Sequence, residues 1–139
     1  MRILGAILII VGLLTTLMPS YYTCAAEGKA IQLPGGKTVP MKCLWTARAE
    51  IGAGSMVMLV GVLLFVSRNL ESRKLLSLCA LSLGILIFLF PTTLIGVCAN
   101  PEMPCASVMK PILLLTGSIA AALGMIGLIW SLTKTESRA

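Results

Sequence analysis

The stretch "LLSLCALSLGILIFLFPTTLIGV", Leu75 to Val97, holds no charged side chain from end to end. A helix needs roughly 20 consecutive apolar residues to cross the hydrocarbon core of a bilayer. This run is long enough, and the helical state satisfies every backbone N–H and C=O within one segment, which lipid demands. Outward from it lie three more apolar runs, 3–18, 51–66 and 112–132, the first two a few residues short of a full crossing. None alternates with the period of a barrel strand. The expectation is an all-α membrane protein. It is a single domain over 1–139, a four-transmembrane-helix bundle with helices near 3–18, 47–67, 75–97 and 111–132 and outer loops at 19–46 and 98–110.

Composition agrees with that class. The 139 residues are 58% hydrophobic and only 12% charged, against about a quarter charged in soluble domains. The net charge of +6 comes from basic residues scattered singly between apolar runs, without the clustered patch that nucleic acid requires. Histidine does not occur, which removes the commonest catalytic base and metal ligand.

Orientation follows from where positive charge is dense. Arg2, Arg68, Arg73, Lys74, Lys134 and Arg138 fall on one side, and Lys29, Lys37, Lys42, Arg48 and Lys110 on the other. The turn "SRNLESRK", Ser67 to Lys74, concentrates three basic residues against two helix ends, so that side is expected to be cytoplasmic. Both termini are then expected to lie in the cytoplasm. The first run resembles a secretory signal with "TCAAEG" after it. Tyr21 and Tyr22 beyond Pro19 read better as interfacial aromatics anchoring a retained helix.

The outer segments carry the chemistry. Four of the five cysteines, Cys24, Cys43, Cys98 and Cys105, fall in or beside the outer loops, and Cys79 lies in an apolar run as a packing residue. An even number of outward cysteines points to two disulfides. Cys98 with Cys105, across a loop stiffened by Pro101 and Pro104, and Cys24 with Cys43 form the simplest scheme. Four cysteines allow three pairings, and bridges between loops are open. Between Cys24 and Cys43, "AIQLPGGKTVPM" suggests a small β-hairpin turning at Pro34-Gly35-Gly36.

Two other chemistries compete. A membrane thiol-disulfide oxidoreductase coupled to quinone also uses outer cysteine pairs, although no pair here has the Cys-x-x-Cys spacing. Met41 with Cys43 and Met103 with Cys105 form two Met-x-Cys units whose soft donors suit a metal such as copper, or iron in a soft-metal handling protein. Arg48 and Glu50 stand at the mouth of the second helix as candidate gates or sockets for a partner's charge. Their plain structural role has Thr46 as N-cap, Glu50 in the first turn and Arg48 at the headgroups. Pro91, Thr92 and Thr93 predict a kink. Gly117, Ala120, Ala121, Gly124 and Gly127 line one side of the fourth helix as a close-packing seam, expected to face another helix of the same bundle.

"MKCLWTARAE", Met41 to Glu50, together with "GVCANPEMPC", Gly96 to Cys105, and the following "VMKP", resembles the family catalogued as domain of unknown function 4418, small four-helix inner-membrane proteins of bacteria. The resemblance covers nearly the whole chain. It departs from the family's pattern at Leu44, where a histidine usually follows the cysteine. The resemblance implies company with ABC transporters that have FtsX or MacB-type permeases. The expectation is a non-enzymatic accessory subunit without a cofactor, surrounded by membrane lipid, that docks on such a permease through disulfide-tied outer loops. Glu102, Met103, Arg48, Glu50 and Lys110 would meet the partner.

Overall fold

The computed structural model describes residues 2–22, 31–39, 42–98, 100–103 and 105–136. Four helices dominate: α1 (Arg2–Tyr21), α2 (Lys42–Val66), α3 (Leu70–Leu89) and α4 (Lys110–Glu136). A π-helical segment, Phe90–Leu94, prolongs α3, and another, Cys105–Met109, leads into α4. With these extensions all four are long and apolar enough to cross a membrane.

Most large side chains face outward, and small ones line the contacts between helices. Ile3, Ile10, Leu59, Phe65, Leu78, Leu115 and Ile129 are exposed, whereas Gly, Ala, Ser and Thr recur at buried positions. Lipid tails are as apolar as leucine, so burying a large side chain brings no hydrophobic gain. Association comes from close backbone approach instead.

The bundle is two antiparallel hairpins, α1 on α2 and α3 on α4, joined by thinner α2–α3 and α1–α4 contacts. Each hairpin zips along small residues seven apart. A Cβ added to Gly12 would sit 2.7 Å from the Met58 backbone nitrogen and 2.8 Å from the Gly54 carbonyl oxygen, and Gly5 meets Gly61 and Phe65 in the same way. On the other hairpin a Cβ at Gly84 would collide with the backbone of Ala121, and one at Gly124 with that of Leu81. Gly5/Gly12, Gly54/Gly61, Ser77/Gly84 and Gly117/Gly124 all follow the seven-residue spacing that keeps a seam facing its partner along a gently supercoiled pair. The seam expected on α4 therefore faces α3 within the same bundle. Between the hairpins a core of Leu8, Val11, Val57, Leu64, Ala80, Ile87 and Ala120 fills the centre.

Helix ends differ from the sequence expectation in instructive ways. α2 begins at Lys42 rather than near 47, because Cys43, Thr46, Ala47 and Glu50 continue the i, i+3, i+4, i+7 pattern of its buried face. Thr46 is thus inside the helix and not its cap, and Glu50 lies in the third turn. α3 begins at Leu70 and its regular part ends at Leu89, where Pro91 cannot donate and the turn widens to π geometry. The Thr92 hydroxyl donates to the carbonyls of Phe88 at 3.0 Å and Leu89 at 3.2 Å, so polar atoms around the break are met internally. At the opposite end of the bundle, Arg73 donates through Nε and Nη2 to the Ser67 carbonyl at 3.1 and 2.8 Å, closing the basic turn.

In the first outer segment Ile31–Gln32 (β1) and Thr38–Val39 (β2) pair antiparallel, Ile31 opposite Val39 and Gln32 opposite Thr38. The turn lies at Pro34-Gly35-Gly36, with φ +129° at Gly35 and +78° at Gly36, a conformation open to glycine.

Candidate functional site

The distinctive chemistry gathers at the end of the bundle where α2 begins, α3 ends and α4 begins. Cys43 sits in the first turn of α2, Cys98 follows the Gly96 turn after α3, and Cys105 opens the π-helical entrance to α4. Their three sulfur atoms lie within 4.8 Å of one another. Cys43 and Cys105 are fully buried and Cys98 is half-buried. Met109, four residues beyond Cys105, and Leu113, four beyond that, complete one buried helical stripe, and Val97 and Met103 pack against it. The outcome is a second core, separate from the central one and built largely from sulfur.

Local geometry fixes each contributor. Gly96 adopts φ +80°, which reverses the chain after the π turn, and its own N–H donates to the Phe90 carbonyl at 3.0 Å. The Gly96 carbonyl in turn accepts the Thr46 hydroxyl at 2.6 Å, tying the end of α3 to α2 one turn below Cys43. Asn100 shapes the outer tip, its Oδ1 accepting the Glu102 N–H at 3.1 Å and its carbonyl the Met103 N–H at 3.2 Å. An open cavity of about 560 Å³ leads from the surface to Cys98, lined also by Pro91, Gly96, Val97, Pro101 and Lys110.

Seven residues past Cys43 on the same face of α2, about 10 Å deeper, lies Glu50, fully buried. Among the described residues neither carboxyl oxygen has a hydrogen-bond partner.

The expected site residues are therefore sorted by depth. Arg48 is exposed, with its guanidinium carbon 5.6 Å from the centroid of the exposed Trp45 ring, and points away from Glu50. Glu102 is exposed at the tip and Lys110 is half-buried on the cavity wall. Glu50 does not reach the surface, and Met103, expected beside Glu102 at the tip, turns inward onto the sulfur core. The expected Cys98–Cys105 neighbours are brought together, with Cys43 as a third sulfur beside them. Cys24 and Met41 lie outside the described residues, and with them the Cys24–Cys43 pairing. Sequence reasoning missed Met109 and Thr46 as parts of the site. The spacing of Cys105, Met109 and Leu113 at i, i+4 and i+8 could have found the first. Nothing in sequence announces a hydroxyl whose acceptor is fifty residues away.

The model of the family described as "Domain of unknown function (DUF4418)" matches residues 5–130. No curated protein and no solved structure matches the chain.

Proposed function

This chain belongs to the family described as domain of unknown function 4418, and from that premise we propose that it is a non-enzymatic membrane subunit of a bacterial envelope complex. Its partner is the permease of an ABC transporter of the FtsX or MacB type. Both termini lie in the cytoplasm, and the sulfur-rich end faces outward, where the outer loops tied through their cysteines dock on the permease's extracytoplasmic part.

One observation carries this reading. The tip that displays Glu102 is held by Asn100 on one side and by inward packing of Met103 on the other, so an exposed charged turn rests on a fixed base. A surface already ordered before binding loses little conformational freedom on docking.

Affinity purification in mild detergent, with identification of co-purifying proteins, tests the proposal. The parent chain is expected to bring down a permease, and Glu102→Lys combined with Arg48→Glu is expected to lose it while the helical content is kept. Equal recovery of every partner by both chains would show that the outer end is not the docking surface.

A further inference from the structure

We propose that Cys43, Cys98 and Cys105 form a copper(I) site at the outer end of the bundle. Three sulfurs bound to one ion at about 2.3 Å in a plane stand about 4 Å from each other. The three here already lie within 4.8 Å, brought from three separate elements, so ligation requires side-chain adjustment and no rearrangement of helices.

Donor chemistry selects the ion. Among the described residues the clustered donors are soft: three cysteine sulfurs, with the thioethers of Met103 and Met109 packed in the same core. Thiolate and thioether together favour copper(I). Zinc takes four ligands in a closed site, and among the described residues the cluster supplies three from cysteine. Copper(I) is content with three soft ligands. Among the described residues the cluster consists of cysteines and holds no carboxylate for the hard, oxygen-seeking cations.

Burial and access fit as well. Cys43 and Cys105 are shielded completely, which protects a copper–thiolate centre from water, while half-buried Cys98 lines the open cavity and gives the ion a route in. Each ligating thiol releases its proton on binding. Three thiolates around one copper(I) leave the centre anionic, and Lys110, which lines the same cavity as Cys98, offsets part of that charge. Copper bound by these cysteines ties the outer loops that dock, whereas a disulfide between two of them ties the loops and removes the copper site, so the two proposals fail separately.

The test uses the full chain, purified in mild detergent under reductant and loaded anaerobically with copper(I) supplied as its acetonitrile complex. One copper per chain is expected, held against a bathocuproine chelator, with an X-ray absorption first shell of three sulfurs. Cys43→Ser, Cys98→Ser and Cys105→Ser should each weaken retention by more than about 100-fold, since outer-shell partners alone are worth about 10–100-fold. Cys79→Ser, on the lipid-facing surface, should leave it unchanged. Should the buried-cysteine variants fail to fold, the absorption spectrum of the parent still decides. A first shell without three sulfurs, retention equal in all four variants, preferential uptake of four-coordinate zinc, or a disulfide joining two of the three in the chain isolated without reductant would each overturn the proposal.

Discussion

The helix seams and the outer end of the bundle hold together by opposite means. Along the seams, backbone meets backbone through glycine, as at Gly84 on Ala121 and Gly12 on Met58, and side chains contribute little. At the outer end, side chains do the joining: three cysteines, two methionines, and the Thr46 hydroxyl on the Gly96 carbonyl. The difference teaches where this chain tolerates change. A seam fails through any added atom, whereas the outer end fails through loss of a particular functional group.

The largest expected effect breaks the seam. Gly84→Leu places a branched side chain where Ala121 backbone stands, and ordinary overpacking already costs about 1–3 kcal/mol. Because backbone cannot yield as a side chain can, the variant should lose its monodisperse detergent-solubilised form, read by size exclusion. Recovery at the parent's level would mean that α3 and α4 do not touch there.

Glu50→Leu should act in the opposite direction. An unpartnered buried polar group costs about 1–3 kcal/mol, and leucine matches glutamate in bulk without that cost. Thermal unfolding in detergent is expected to shift upward, and a downward shift would show that the carboxyl has a partner in the folded chain. Thr46→Val removes one hydrogen bond between α2 and the end of α3, worth about 0.5–1.5 kcal/mol. Amide exchange at Cys98 and its neighbours should quicken more than exchange in the seams. Glu102→Lys, on the exposed tip, should leave stability within about 0.5 kcal/mol and appear only in partner recovery.

Sequence and structure agree best where the physics is local. An uncharged run such as Leu75 to Val97 is long and apolar enough to cross a membrane, and the small residues of α4 form a seam against α3, so both are legible. Pro91 announced a break, though not that the helix would widen to π geometry. The outer end was legible in content and not in arrangement. The loop "CANPEMPC", Cys98 to Cys105, invites pairing within itself, and only the extension of α2 back to Lys42 carries Cys43 to the same place. Glu50 was placed near the mouth because the helix was expected to start later; five additional residues of helix put it in the third turn and turn it inward. Such displacements arise because helix starts depend on tertiary contacts, here the burial of Cys43 and Thr46, which no local signal encodes.

The central claim is that the sulfur-rich end of the bundle faces outward. Intact cells expressing either Glu102→Cys or Glu71→Cys, treated with a membrane-impermeant maleimide, test it directly, with labelled peptides identified by mass. Both glutamates are exposed and stand at opposite ends of the bundle. Labelling is expected at position 102 in intact cells and at position 71 only after the membrane is permeabilised. Labelling at 71 with none at 102 would contradict it.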